Sequence, residues 1–298
     1  MTCTNKPLVS IVTPSYNQRQ FIEATLLSVK SQDYPNIEHL VIDGGSNDNT
    51  LELLRKYENE YNLSWTSEPD EGQSDALNKG FERANGQIIG WLNSDDVYID
   101  RRVITYVVNR FEELHNIDVI YGDGIIIDDD NLVLKVVHLI PWFSYNRLVR
   151  FDCIFQPSCF FRREVVQQHK LDTRIDLPMD YEYYLRLASH GIKFKHVNRV
   201  LSAWRWHEES KSISRPQEAR AEAVKVKELH GRKSNASYYL ACILDDIILL
   251  LLKVYGIRTM LALRAHSMKY NLAFRASFDS TTKMVVRQLS FNPRRIFG

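Results

Sequence analysis

Four short apolar runs in the first hundred residues, each stopping at a small group of polar residues, constrain this chain most. Leu8-Val9-Ser10-Ile11-Val12 is rich in β-branched residues and is ended by Pro14. Ile37 to Ile42 stops at Asp43-Gly44-Gly45, Leu63 to Thr66 precedes Asp70, and Gln87 to Leu92 runs into Asn93-Ser94-Asp95-Asp96. Between them apolar residues recur at helical spacing. Ile22, Leu26 and Val29 predict a helix over 19–32, and Leu54, Tyr57 and Tyr61 a second. Leu77, Gly80, Phe81 and Ala84 predict a third, capped by Ser74 or Asp75. Strands and helices alternating at this spacing predict an α/β fold with a mainly parallel sheet flanked by helices. In such a sheet, ligands bind in the crevice outside the carboxyl ends of the strands. Turn chemistry accounts for any one of the four loops; four in succession delivering carboxylates to one edge predict a site.

Further along, 119–127 and 132–140 read as a hairpin around Asp128-Asp129-Asp130-Asn131, and Phe155 to Phe161 as another strand. Met179-Asp180 opens a helix whose buried face is Tyr181, Tyr184, Leu185 and Ala188, and Ile192 to Trp206 is extended. Pro216 suits the first turn of a helix. From there to the end the chain reads as helical, with breaks at Gly231 and Gly256. Two units follow: an α/β domain over residues 1–215 and a helical C-terminal extension over 216–298.

Charge divides the same way. The formal total is +1, from 38 Lys+Arg against 37 Asp+Glu. From Lys253 onward nine basic residues face the single acid Asp279, a net +8, which leaves −7 on everything before it. The near-zero total gives no reason to expect nucleic-acid binding. The run from Tyr238 to Leu252 is broken by Asp245 and Asp246, too short to span a bilayer. It is expected to pack on the body or on a second copy of the chain, with the basic tail resting on anionic lipid at a membrane surface. Four cysteines without a C-x-x-C pair, and no apolar core behind Met1 to Pro7, predict a reduced, cytoplasmic protein.

Neither G-x-G-x-x-G nor a P-loop follows the first strand, where Thr13-Pro14-Ser15-Tyr16-Asn17 stands instead. If the site takes phosphates, their charge must be met another way. Asp95 and Asp96 at a strand end suit Mg²⁺ or Mn²⁺ shared with substrate phosphates. Taken alone, Asp96 reads better as a helix N-cap.

Together the blocks resemble family 2 glycosyltransferases: Val9 to Asn17; Val41-Ile42-Asp43-Gly44-Gly45-Ser46-Asn47-Asp48-Asn49-Thr50; Glu68-Pro69-Asp70-Glu71-Gly72 with Asp75 to Gly80; and Gly90-Trp91-Leu92-Asn93-Ser94-Asp95-Asp96. The resemblance is strong from Pro7 to about Tyr98 and looser to about Ser212. It implies a GT-A (Rossmann-like) fold and inverting, hexosyltransferase-type transfer from a nucleoside-diphosphate sugar, UDP favoured, to an acceptor hydroxyl. It implies as acceptor a saccharide or lipid-linked saccharide of cell-surface polysaccharide synthesis, at the inner face of the cytoplasmic membrane. Asp43 matches the aspartate that meets the nucleobase, Pro14 to Tyr16 the loop against base and ribose, and Asp70 a further acidic position on the nucleotide side. Asn78 and Ser94 fall in the same donor-binding blocks. Asn93-Ser94-Asp95 stands at the D-x-D metal motif, so Asp95 is the implied metal ligand. Asn93 departs from that pattern and is expected to touch ribose or a metal-bound water, with weaker metal affinity. Met179 to Leu187 matches the segment bearing the general base, placing it at Asp180 rather than at Glu182, which sits four residues before Arg186 and suits a helix ion pair. His207 is implied as a contact to metal or phosphate, Lys211 as a partner of the leaving group, and Gln156-Pro157-Ser158 as part of the acceptor side. Trp142, Trp204 and Trp206 could stack on sugar rings, although core positions are commoner for tryptophan. The competing reading is a non-catalytic nucleotide or glycan binder on a degenerate scaffold.

Overall fold

The computed structural model of the chain describes residues 6–150 and 152–230, together with the two-residue strands Ser277–Phe278 and Met284–Val285, which pair antiparallel. The expected apolar run over 238–252 lies outside the described residues. At the four described tail positions the chain is extended where the sequence predicts helix. Among the described residues no helix is long and apolar enough to cross a membrane.

The chain opens with β1 (Val9–Ser15), α1 (Ile22–Lys30), β2 (Ile37–Asp43), α2 (Thr50–Tyr57), β3 (Leu63–Ser67), α3 (Gln73–Arg83) and β4 (Ile88–Trp91). β1 pairs in parallel with β2 and β4, and β2 with β3. Side chains alternate between two faces, as the period of a strand requires. Val12, Ile89 and Phe161 pack under Leu77 and Phe81 of α3, while Val9, Ile11, Ile88 and Phe160 form the opposite layer. Leu77 and Phe81 are fully covered, and burying each contributes roughly 1.5–3 kcal/mol.

β1 runs on through Pro14, where the sequence suggests a stop. The Val12 carbonyl accepts the Leu92 N–H, so even-numbered residues of β1 face β4. β4 ends at Trp91, and the N–H that Pro14 lacks would point where no strand needs it. The expected cap of α3 is also absent. The helix starts from Gly72 at φ +110°, Ser74 Oγ turns to Met179 Sδ (3.1 Å), and Asp75 pairs with Lys79.

The second half holds β5 (Val97–Tyr98), α4 (Val103–Glu113), β6 (Val119–Ile127), β7 (Val133–Val137), α5 (Tyr145–Arg150), a 3-10 turn at Gln156–Ser158, β8 (Cys159–Arg162), α6 (Arg163–Gln168), α7 (Met179–Ser189), β9 (Phe194–Arg205), α8 (Lys211–Ser214) and α9 (Pro216–His230). The sheet order is β3-β2-β1-β4-β8-β6-β9-β5, with β7 paired to β6. β8 is antiparallel to both β4 and β6, and β9 is parallel to β6, so β6 and β9 run in the same direction as β1. Register shifts around Asp123 bend this pair. Beyond them the strands close with β5 and β7 around Val97, Ile125, Ile127, Val133 and Ala203.

Two strands are shorter than the sequence suggests because side chains take up their ends. β7 stops at Val137 because buried Asp123 accepts the Leu139 N–H and faces His138 Nδ1, both at 2.9 Å. β8 starts only at Cys159: Gln156 Nε2 donates to Trp91 O (3.0 Å) and Ser158 Oγ to Asp123 O (2.8 Å), curling 156–158 into a turn. Pro216 opens α9 as expected. This first helix of the proposed extension is fastened to the body by Lys227 Nζ to Arg150 O (2.7 Å), Tyr145 OH to His230 O (3.1 Å) and the Leu177 N–H to Glu222 (3.1 Å).

Candidate active site

Because β1, β2, β3, β4, β6 and β9 share one direction, their carboxyl ends bring Tyr16, Asp43, Asp70, Asn93 to Asp96, Asp128 to Asn131 and His207 to a single edge of the sheet. Three groups of residues stand along it.

The first lies beyond β1, β2 and β3. Asp43 is fully buried, and its carboxylate accepts the N–H groups of Gly45 and Ser46 and the hydroxyls of Ser46 and Ser67, at 2.5–3.1 Å. A base reaching it would replace one of these partners. The loops after β1 and β2 are cross-tied: the Asn17 N–H donates to Ser46 Oγ, the Asn47 N–H to Asn17 Oδ1, and the Arg19 N–H to Asp48. A β-carbon on Gly44 would stand 2.7 Å from an Asp70 oxygen, so glycine there lets the Asp70 carboxylate approach the strand end. Pro14 is buried inside β1, whereas Tyr16, just beyond the strand, is 60% exposed.

At the centre, Asp95 Oδ2 lies 3.0 Å from His207 Nε2. His207 is buried and packs on the Phe21 ring at 4.5 Å between centroids. The Asp95 loop is pinned from below by Thr25, whose hydroxyl is shared between the carbonyls of Ser94 (2.8 Å) and Asp96 (2.7 Å). Arg205 Nε holds the carbonyl of Asp95, while its Nη1 holds that of Asp128. Asp96 is no helix cap, since β5 follows it. Its buried carboxylate accepts the Arg205 N–H, and burial together with the charge of Asp95 pushes it well above the usual carboxylate range. Ser94 is buried within the loop. Among the described residues no group of three or more His, Cys, Asp or Glu converges as a metal cage. A cavity of about 250 Å³ adjoins this centre, lined by Asp128, Asp129, Asp130, Trp206, His207 and Glu208.

The third group surrounds the start of α7. Asp180 occupies its first turn, and burial lifts its carboxyl above the usual range. Asp152, on the segment leading to the 156–158 turn, is raised by the surrounding protein and by the charge of Asp180. Glu182 is already taken: Arg186 binds it through Nε (2.9 Å) and Nη2 (3.1 Å), and His230 approaches at 3.2 Å. Lys211 Nζ and Arg215 Nη2 both hold Asp176 at 2.6 Å, four residues before Asp180. Asn78 does not reach the crevice; its amide spends both ends on the backbone of Leu171.

The sequence matches the family described as "Glycosyl transferase family 2" over residues 10–169, more than half of the chain. The chain belongs to glycosyl transferase family 2. It is 28% identical over 210 residues to a hyaluronan synthase of Pasteurella multocida, covering 70% of this chain and 21% of that protein. An Escherichia coli UDP-Glc:alpha-D-GlcNAc-diphosphoundecaprenol beta-1,3-glucosyltransferase is 27% identical over 212 residues, covering 70% of this chain and 81% of its own length. The chain thus spans about a fifth to a third of the hyaluronan and chondroitin synthases it matches, but most of the smaller transferase. In fold it resembles S. aureus TarS 1-349 in complex with UDP-GlcNAc (TM-score 0.61, 16% identity, 78% of this chain and 69% of that one). It also resembles a Pyrobaculum calidifontis mannosyltransferase in complex with GDP-Man and Mn²⁺ (TM-score 0.58, 18% identity, 89% and 76%). The architecture is the GT-A fold expected from the sequence.

Within this family 2 domain the fold places Tyr16, Asp43, Asp70, Asp95 and His207 beyond strand ends along one sheet edge and Asp180 in the first turn of α7, with Pro14 inside β1 and Asn78 bonded to the Leu171 backbone. It adds Thr25, Asp152, Arg205 and Gln73, whose Nε2 donates to Asn93 Oδ1 (2.9 Å), none of which the sequence alone gives a role. None belongs to a spaced motif; each is brought in from elsewhere in the chain by the fold.

Proposed function

We propose that the chain is an inverting glycosyltransferase that moves a sugar from a nucleoside-diphosphate sugar, UDP favoured, to the hydroxyl of a saccharide or lipid-linked saccharide in cell-surface polysaccharide synthesis. The observation that carries this reading is the arrangement along one sheet edge: a cross-tied cradle at Tyr16, Asp43 and Asp70, the Asp95–His207 pair, and a carboxylate at Asp180 whose affinity for protons is raised. In this reading the base and ribose lie against Tyr16 near Asp43 and Asp70. The diphosphate lies at Asp95 and His207.

Asp180 takes the proton of the acceptor hydroxyl as oxygen attacks the anomeric carbon from the face opposite the leaving diphosphate. A base with a raised pKa holds that proton better than an ordinary aspartate. Asp95 and His207 would hold a divalent cation, Mn²⁺ or Mg²⁺, through a hard carboxylate oxygen and a ring nitrogen that lie 3.0 Å apart. When bound, the cation neutralises charge on the leaving group. Lys211 adds positive charge beside it on releasing Asp176, which Arg215 continues to neutralise. The domain assignment of residues 1–215 as catalytic and 216–298 as an extension contacting membrane lipid or a second copy belongs to the same proposal, with activity at the cytoplasmic membrane surface.

The test is release of nucleoside diphosphate from a panel of UDP-, GDP- and dTDP-sugars with Mn²⁺, by wild type and Asp95→Ala. One donor class turned over by wild type and lost in the variant is the expected result. Binding of nucleotide without turnover of any donor, with or without saccharide acceptors, would leave the non-catalytic binder as the correct reading.

A further inference from the structure

The Asn93 side chain makes four hydrogen bonds, and the chemistry of its partners fixes which way round it sits. Its Oδ1 accepts from Trp91 Nε1 (2.8 Å) and Gln73 Nε2 (2.9 Å). Its Nδ2 donates to Gln156 Oε1 (3.0 Å) and Asp96 Oδ2 (3.3 Å). An indole nitrogen can only donate, so Asn93 must present an acceptor to Trp91. Gln156 in turn donates Nε2 to the Trp91 carbonyl (3.0 Å), a group that can only accept, so its oxygen must face residue 93. Residue 93 therefore has to be an acceptor on one side and a donor on the other. Asparagine meets that demand, whereas an ionised aspartate would set an oxygen against Gln156 Oε1, which has no proton to offer it.

We infer that Asn93, although it stands at the first place of the family's metal motif, is a positioning residue rather than a ligand of donor or metal: with Gln73 and Gln156 it forms a neutral bracket that fixes Trp91 and Asp96 and thereby the Asp95 loop. The bracket reaches the proposed metal pair by two steps. Asp96, held by Asn93, accepts the Arg205 N–H, and Arg205 holds the Asp95 carbonyl and lies two residues before His207. Asparagine here is thus not a weakened copy of an aspartate. The two glutamines and the tryptophan surrounding it are complementary to an amide, and restoring the carboxylate breaks that fit.

This inference deepens the proposed function, since the bracket serves the Asp95–His207 pair, but one arm of its test does not depend on it. Asn93→Asp separates the two readings with opposite signs. If residue 93 were a ligand weakened by losing its charge, the aspartate would tighten Mn²⁺ in the presence of UDP and leave thermal stability unchanged. The bracket predicts the reverse: a lower melting temperature without any ligand, and Mn²⁺ binding with UDP weaker by about threefold or more, followed by the free Mn²⁺ signal in electron paramagnetic resonance. Failure of Asn93→Asp to accumulate as folded protein also supports the bracket, because exchanging a ligand-facing side chain of equal size is benign.

Gln156→Leu is the second probe, since it removes a bracket member to which the ligand reading gives no part in holding Mn²⁺. It is expected to reproduce the loss of Mn²⁺ affinity and of melting temperature. In the double variant N93D/Q156K the ammonium donates to both the Trp91 carbonyl and the new carboxylate. It is expected to recover part of the melting temperature lost in N93D. Tighter Mn²⁺ with an unchanged melting temperature in N93D, or wild-type Mn²⁺ binding and stability in Gln156→Leu, overturns the inference. Should wild type bind no Mn²⁺ with UDP, the proposed function fails at that point, while the ligand-free melting temperatures still decide the bracket.

Discussion

The two sides of the crevice are built on opposite electrostatic plans. Beyond β1 and β2, the polar groups satisfy one another: Asp43 accepts four hydrogen bonds, and the loops over 15–19 and 43–50 are tied together by Asn17, Ser46 and Asp48. Around Asp95, Asp152 and Asp180, carboxylates stand with few partners, and the pKa values of Asp152 and Asp180 are pushed upward. A satisfied cradle is held in place before a ligand arrives, and a base reaching Asp43 exchanges with one of its partners. Carboxylates held in unfavourable surroundings cost stability, but they are the groups able to take up a proton or a cation. On the proposed reading, recognition falls to the first side and chemistry to the second.

Asp180→Asn is the strongest way to break that division. Losing the base should lower kcat by about a thousandfold, within the span usual for a positioned proton acceptor, while UDP affinity stays within about twofold of wild type. Steady-state kinetics with a competent donor, alongside UDP titration, check both parts. Normal turnover with weakened UDP binding would move Asp180 to the recognition side and leave the base unassigned.

Asp152→Asn tests the chemical side more finely. Asp152 is pushed up to about 8 by the surrounding protein and by the charge of Asp180, so of the pair Asp180 loses its proton first, while Asp152 is still neutral. A base works only when deprotonated, so a raised pKa places the acid limb of the rate above the range of an ordinary aspartate. Asparagine in place of a neutral carboxyl should leave that limb within about half a pH unit of wild type, and the two profiles should part only at higher pH, where Asp152 takes on charge. A pH profile of kcat/KM in the two proteins shows it. An acid limb lowered by about one pH unit or more would mean that Asp152 is already charged when Asp180 titrates.

What the sequence makes legible follows the same division. The cradle lies within short spans of chain: Tyr16-Asn17, Asp43 to Thr50 and Asp70 each stand directly after a strand, so periodicity and turn residues locate them. The sheet order through β4 and the start of α7 at Met179 are legible for the same reason. The reactive half is assembled across long distances. Asp152 meets the field of Asp180, Thr25 supports the loop at Ser94 to Asp96, and Arg205 bridges Asp95 to Asp128. Nothing local marks a threonine inside α1 as the prop of a loop some seventy residues later. Asn93 shows the remaining limit. Its place in a motif suggests a ligand, but its role follows from Trp91, Gln73 and Gln156, whose arrangement the linear chain does not contain.

Tyr16 offers the smallest test, on the recognition side. Tyr16 is 60% exposed, and among the described residues its side chain makes no hydrogen bond or ring contact. If it packs on the nucleobase, the contact is worth about 0.5–1.5 kcal/mol, so Tyr16→Ala should weaken UDP binding by roughly threefold to tenfold. Its melting temperature and kcat at saturating donor should stay near wild type. Tyr16→Phe keeps the ring and should bind as wild type does. A Phe variant as weak as the Ala variant would show that the hydroxyl makes the contact, turning the cradle's outer wall from a stacking surface into a hydrogen-bonding one. Equal affinity in all three proteins would remove Tyr16 from the site and leave recognition to Asp43 and Asp70.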